Sequence, residues 1–338
     1  MAEVAGKAYL ITGGASLIGS HLADALLAAD ASEVRLLDNF ALGTPDTIAH
    51  LLAEPRVKLV RGDVLRLNEV LDASKGADGI FALAGFLTIP MLQNPALGVQ
   101  VNTVGLLNTL EAARFAGVRR LVFSSSVAAY GNAEADVLEE DAATVTATLS
   151  PVSAVYGVSK LFGESLCRLY AQKYGLQFNA LRFTSVYGER QHARAVNANF
   201  IAETYERVRK GEAPIVIGDG KEVHDYIYVT DIAAGCMAAM TSDRHGLLMN
   251  LATGVDSSLT EVVHAVLKVC GSTLKPEYRA DTRAVRSAGG THLGFSRKRA
   301  ESEIGWVPRV SLEEGIRRYV RWLEQQRPHS DRELPARS

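Results

Sequence analysis

The sequence predicts an α/β fold, a doubly wound parallel sheet with a smaller C-terminal α/β lobe. Three observations carry that expectation. Short apolar runs bounded by glycine, such as Lys7–Thr12, read as strands buried on both faces. Such runs alternate with helical patterns as far as residue 185, with short links, as parallel strands joined by crossovers require. Glycines, acids and serines recur where the runs end, and open α/β sheets hold their ligands there.

The first strand, Lys7–Thr12, runs into T-G-G-A-S-L-I-G-S-H and then a helical pattern of Leu22, Ala25, Leu26 and Ala29. Strand, glycine turn and helix make a dinucleotide-binding arrangement: the backbone approaches a pyrophosphate closely and the helix N-terminus offers it free N–H groups. Gly13 and Gly19 are the expected glycines, Gly14 stands beside the first, and Ser16 replaces the middle one. The second strand, Glu33–Leu37, ends at Asp38. An acid at that tip binds both ribose hydroxyls and repels a 2′-phosphate, so NAD is expected rather than NADP. Read structurally, it would be a strand-end cap.

Val57–Arg61 is the third strand. Asp63, just after it, is placed to accept from an adenine amino group or to cap a helix over Arg66–Ser74. Asp78–Ala84 is the fourth, with Gly85 at its end, and Asn94–Phe115 a long amphipathic helix. Arg119–Ser124 is the fifth, leading into Ser124-Ser125-Ser126, where a hydroxyl can hydrogen-bond an oxygen being oxidised.

Ser153–Ser165 (SAVYGVSKLFGES) carries Tyr156 and Lys160 four apart, which stacks them on one helical face. A free tyrosine ionises near pH ~10, and bringing it to about 7 takes about 4 kcal/mol of preferential phenolate stabilisation. An ammonium about 4 Å away supplies energy of that order at an effective dielectric near 20. The pair is a proton-transfer device, or else a surface helix with a snorkelling lysine; the strand-end residues around it favour the device.

Gln177–Phe183 is the sixth strand, after which the pattern breaks up. Val196–Lys210 reads as a helix, Pro214–Ile217 as a strand, and His224–Tyr228 as a strand leading to a cap at Thr230-Asp231 and a helix over Ile232–Met240. Ser258 and Glu261 form a capping box for a helix through Val269. This divides the chain into a dinucleotide-binding domain, residues 1–185 plus 224–245, and a substrate lobe, residues 186–223 plus 246–326. His224–Thr241 is expected to return to the main sheet, and residues 327–338 to form a flexible tail. Arg283 and Arg286 lie in a loop, solvated or gripping an anion.

Composition excludes several classes. A formal net charge of -2 over 338 residues leaves no basic excess for nucleic acid. The three cysteines are far apart and odd in number, which suits reduced thiols and a cytoplasmic location. No CxxC or His/Cys cluster suggests a metal, no apolar run reaches the roughly 20 residues of a membrane span, and nothing N-terminal resembles a signal peptide.

Taken together, TGGASLIGSH, LLDNF, RGDV, LAG, VNTVGLLNTLEAAR, LVFSSSVAAYG, YGVSK, LRFTSVYGERQ, GDGKEVHDYIYVTDIA, NLATG and GWVPRVSLEEGI resemble the extended short-chain dehydrogenase/reductase superfamily. The closest likeness is to its NAD-dependent nucleotide-sugar epimerases of the UDP-glucose 4-epimerase type, over roughly Lys7 to Glu324. The resemblance implies a Rossmann fold and assigns roles by position. Gly13, Ser16, Leu17, Ile18 and Gly19 would hold the NAD pyrophosphate, Asp38 and Asn39 the adenosine ribose, and Asp63 and Val64 the adenine. Leu83, Ala84 and Gly85 would line the cofactor, Asn102 would support it, and Ser124 would belong to its pocket. Tyr156 would be the base, Lys160 its electrostatic partner and holder of the nicotinamide ribose, and Ser126 the hydroxyl that helps Tyr156. The implied reaction oxidises C4 of a nucleotide sugar transiently and returns hydride to the other face. The implied assembly is a homodimer pairing Asn94–Phe115 and Ser153–Tyr174 into a four-helix bundle.

Several positions depart from the family pattern: Ala82 for a common His, Ser185 for Asn, Glu189 for Pro, His224 for an Arg that grips the diphosphate, and Ser296 for Asp. The expected substrate contacts are Ser126, Ser185, His224 and Arg286, the last matching a second diphosphate-binding Arg. The departures open an alternative, an NAD-dependent dehydrogenase or reductase of a sugar or other hydroxylated molecule without a nucleotide. Net NADH formation would mark that activity. A non-catalytic NAD-binding scaffold is a third reading, opposed by the joint presence of Tyr156, Lys160 and Ser126. Val127 and Ala128 stand where related dehydratases carry an acid pair and decarboxylases a Glu, which disfavours elimination and carboxylate chemistry.

Overall fold

The computed structural model describes residues 3–133, 135–147, 149–191, 196–280 and 294–326, without the side chains of 196–198. Five strands arise in order: β1 (Ala8–Thr12), β2 (Glu33–Asp38), β3 (Val57–Arg61), β4 (Gly79–Ala82) and β5 (Arg120–Ser126). With Gln177–Phe183 and Leu247–Leu251 they make one seven-stranded parallel sheet. From one edge the order is Leu247–Leu251, Gln177–Phe183, β5, β4, β1, β2, β3. The order reverses between β1 and β4, which opens a crevice at their carboxyl ends.

Both faces of the sheet are covered, so its strands read as continuous apolar runs. Ile11 and Phe81 face one core with Leu22, Leu26, Ala239 and Met240, beneath α1 (Leu17–Ala28) and the helix Val229–Thr241. Leu10 and Ile80 face the other with Leu110, Phe123 and Cys167, beneath the helices Leu106–Ala116 and Pro151–Tyr174. A separate three-stranded sheet of Ser185–Tyr187, Val223–Tyr228 and Asp256–Ser258 carries the lobe. Its core joins Tyr187, Tyr226 and Tyr228 to Val262, Ile316 and Tyr319. Ser258 and Glu261 form the expected capping box on Leu259–Val269.

Several expectations are corrected here. The strand at His224 does not return to the main sheet. It pairs with Ser185–Tyr187 and Asp256–Ser258 in the lobe, and only the helix after it, Val229–Thr241, packs on the main sheet against α1. The seventh main strand is Leu247–Leu251, which falls on the lobe side of the division drawn from sequence. A short buried strand carries no local mark of its partner. Thr230-Asp231 is not the helix cap either: Tyr228 holds that position, and Asp231 accepts from Arg309 N at 3.0 Å and Val310 N at 2.9 Å.

The helix expected over Asn94–Phe115 starts at Pro95, capped by Asn94, and widens into a π-turn at Val101–Gly105 before continuing to Ala116. The triple serine forms the last residues of β5, paired with Leu181, Arg182 and Phe183. Arg283, Arg286 and the 327–338 tail lie outside the described residues. Among the described residues, no helix is long and apolar enough to cross a membrane. No group of three His, Cys, Asp or Glu among them is placed to hold a metal ion.

Candidate active site

Two cavities lie along the carboxyl ends of the strands. The smaller, about 90 Å³, is bounded by Gly13, Ser16, Asp38, Asn39, Asp63, Val64 and Leu83–Gly85. Gly13 has φ +72°, and a Cβ there would sit 3.0 Å from the Ala84 backbone. The glycine turn therefore lies flat against the β4 exit, with no side chain in the crevice. Ser16 caps α1, its Oγ accepting from Gly19 N at 3.1 Å. Asp38 is buried and accepts from Ala15 N at 2.9 Å and Phe40 N at 2.8 Å, so one carboxylate fastens the turn after β1 and the exit of β2. Asn39 donates to Asp63 at 3.1 Å across the mouth. A bare turn, a helix N-terminus and a strand-tip acid together fit a dinucleotide.

Asn102 lines neither cavity. It sits in the π-turn, accepts from Phe86 N at 2.7 Å, and donates to Phe86 O and to Ser159 Oγ at 3.1 and 3.0 Å. Its support for the cleft is therefore indirect: it ties the loop after β4 to the helix of Tyr156.

The larger cavity, about 390 Å³, continues from the first and is lined by Leu17, Ile18, Gly85, Ser124, Ser126, Tyr156 and Lys160 among others. Tyr156 and Lys160 are both buried on the helix Pro151–Tyr174. That helix comes close because residue 157 is glycine: a Cβ there would lie 2.4 Å from the Ala128 carbonyl oxygen. Lys160 Nζ donates to the Ser124 carbonyl at 2.8 Å and lies 5.8 Å from the centre of the Tyr156 ring. Burial pushes the Tyr156 phenol up, against a hydrogen bond with Ser126 that lowers it. Burial brings Lys160 down to about 8, against the Glu164 charge. Lys160 is the expected electrostatic partner of Tyr156. The ammonium is engaged by a strand carbonyl, and the phenol has a hydrogen bond with Ser126 that lowers it.

From the lobe, Ser185, His224 and Asp225 reach the larger cavity. His224 Nε2 lies 2.8 Å from the Glu222 carboxylate, so the position expected for a diphosphate-gripping Arg holds a His–carboxylate pair. Phe86, Leu87, Ile89 and Pro90 form one wall, and Leu138, Leu149 and Phe295 another. The 131–150 loop is pinned there by pairing of Val137–Leu138 with Gly294–Phe295. Glu189 faces His21 of α1 at 3.6 Å, and Arg190 reaches Asp24 at 2.6 Å. Both join the lobe entry to α1.

Residues that sequence reasoning passed over include Glu164, Arg182 and Asp225. Asp225 accepts from Thr184, Thr253 and Gly254 and lines the cavity. Glu164 was within reach, since 156, 160 and 164 share one helical face. Arg182 was not, because nothing in a strand pattern names its partner.

A family model described as the NAD dependent epimerase/dehydratase family matches residues 9–252. UDP-glucose 4-epimerase of Mycolicibacterium smegmatis is 30% identical over 321 residues, 93% of this chain and 97% of that protein. UDP-glucuronic acid decarboxylase 1 of Arabidopsis thaliana is 32% identical over 324 residues, 92% of this chain and 68% of that one. The structure of Thermus thermophilus UDP-glucose 4-epimerase complexed with NAD matches with a TM-score of 0.80 at 30% identity, covering 94% of this chain and 99% of that one. With the sheet, the glycine turn and the Tyr156–Lys160 helix all inside the matched span, the chain belongs to the NAD-dependent epimerase/dehydratase family.

Proposed function

We propose that this protein is an NAD-dependent 4-epimerase of a nucleotide-activated sugar. The observation that carries the reading is the convergence of Ser126, Tyr156 and Lys160 on a cavity of about 390 Å³ that opens from the dinucleotide cleft. That volume falls in the usual range for small-molecule sites, roughly 300–1,000 Å³. A sugar hydroxyl set between Ser126 and Tyr156 is steadied by the first and gives its proton to the second when the second stands as phenolate. NAD, when bound, accepts a hydride and returns it, and adds positive charge beside the phenol. Lys160 holds the end of β5 through the Ser124 carbonyl. After the sugar turns, Tyr156 returns the proton as the oxygen is reduced again. Val127 and Ala128 beside Ser126 provide no acid for elimination.

Ser185 and His224 are the proposed substrate contacts of the lobe, and Arg286 belongs to the same proposal from sequence. The protein is further proposed to act in the cytoplasm as a homodimer. The helix faces carrying Val104, Leu107, Val158, Phe162 and Leu169 leave large apolar side chains exposed, and a second copy would cover them.

The deciding experiment incubates the purified protein with UDP-glucose or UDP-galactose and follows the sugar by proton NMR, with cofactor content and NADH absorbance measured in parallel. Interconversion with retained NAD and no net NADH is expected. Stoichiometric NADH formation on a free sugar would overturn it in favour of the dehydrogenase reading, which the His224–Glu222 pair motivates.

A further inference from the structure

Beneath the reacting groups lies a buried ion pair that the proposed proton transfer does not use. Glu164 sits one helical turn past Lys160 and is 1% exposed; Arg182, on Gln177–Phe183, is 3% exposed. They meet as a fork, Nε to Oε1 and Nη2 to Oε2, both at 2.8 Å. Oε1 also accepts from the Ser125 hydroxyl at 2.6 Å. The guanidinium continues to the Glu140 carbonyl at 3.2 Å and lies over the Tyr130 ring at 4.4 Å. Tyr130 lines the cavity and donates to Asn250 at 2.8 Å.

Stability does not account for such a pair. Replacing buried ion pairs by apolar residues is often neutral or stabilising, whereas removing one partner strands a charge. What this pair controls is geometry. Three consecutive serines end β5: Ser124 binds Lys160 through its carbonyl, Ser125 binds Glu164 through its hydroxyl, and Ser126 is left to Tyr156. The strand is thus sewn to the helix at two points one turn apart.

We propose that Glu164 and Arg182 are positioning residues of the reaction, clamping the end of β5 to the Tyr156 helix and tying that junction to the cavity wall. The inference rests on the epimerase reading of the same site. Glu164 also favours the Lys160 ammonium against burial. The other groups around that ammonium are Tyr156 on its own helix, the Ser124 carbonyl, the Phe123 ring and Gly85. Of these, Tyr156 alone can ionise.

The test compares Glu164→Gln, Arg182→Gln and the double variant, as holoenzymes, with the wild type. The double variant removes both charges together and so guards against a stranded one. For Glu164→Gln and the double variant, kcat is expected to fall by about tenfold or more, with little change in KM or NAD content. In Glu164→Gln the alkaline limb of kcat/KM should also move to lower pH by about one to two units, the effect of a charge about 6 Å away at an effective dielectric near 20. A second readout is independent of turnover. The Lys160 ¹³Cε resonance of lysine-labelled protein, assigned through Lys160→Met, should titrate lower by a similar amount in Glu164→Gln. A folded double variant with wild-type kcat, or a Glu164→Gln protein changed only in melting temperature, overturns the proposal. Wild-type protein inert toward every nucleotide sugar would sink the epimerase reading instead, and an unmoved Lys160 titration would then still overturn the clamp.

Discussion

At the residue scale the chemistry rests on a phenol that burial holds above its ordinary range and that must ionise before it can take the sugar's proton. Tyr156 is buried and raised, and Ser126 is the group that opposes the rise. Tyr156→Phe removes the proton acceptor and nothing from the fold's hydrogen bonding to the backbone, so kcat should fall by about 10²–10⁴ with little change in KM. Steady-state kinetics that show a loss below tenfold would demote the residue. Lys160 adds a pH limit. Its folded-state value of about 8 lies below the ordinary lysine value of 10.5, so the charged form is lost as pH rises through about 8. If activity needs the ammonium, kcat/KM falls on that side, and a flat profile to about pH 10, near the ordinary lysine range, would show that it does not. Asp38 accepts from the amides of Ala15 and Phe40, and its proposed second duty is toward a ribose. Asp38→Ala should lose discrimination against NADP and also bind NAD more weakly, because the turn after β1 is released. Titration of both cofactors checks this; unchanged selectivity would leave Asp38 a cap and no more.

At the element scale the lobe entry is fastened to α1 by Arg190 and by Glu189, one of the departures from the pattern the resemblance implies. Glu189 stands for a Pro, and it is brought to about 2: burial would raise it, but the neighbouring His21, 3.6 Å away, and Tyr228 outweigh that. A carboxylate lowered on folding contributes stability that is complete above its unfolded value, here 4.5, and is lost as pH falls toward 2. Denaturant unfolding should therefore show wild-type stability declining more steeply between pH 4.5 and 2 than that of Glu189→Gln. Equal slopes would mean that the carboxylate is not coupled to folding. The π-turn at Val101–Gly105 belongs to this scale too. A plain amphipathic reading of Asn94–Phe115 passes over it, because one extra residue in a turn leaves the periodicity nearly intact while turning Asn102 inward to Phe86 and Ser159.

At the scale of the whole molecule, the exposed apolar faces of the helices Leu106–Ala116 and Pro151–Tyr174 call for a cover. Phe162, 47% exposed, sits centrally on the longer helix. Phe162→Glu should shift the protein from dimer to monomer in sedimentation velocity without unfolding it; a monomeric wild type would overturn the assembly. The alternation of strand and helix, the glycine turn, the acid at the tip of β2 and the four-residue spacing of Tyr156 and Lys160 were all legible from the chain. They are local: periodicity, covalent spacing and backbone freedom at a glycine are properties of a short window. Other features were decided by tertiary structure. Leu247–Leu251 rather than His224–Tyr228 fills the sheet edge, Lys160 turns to a carbonyl of β5, Glu164 finds Arg182, and His224 is taken by Glu222. Most of these pairings join residues far apart in sequence. Each is set by which groups burial removes from water together, and a buried donor or charge must find its partner within the assembled fold.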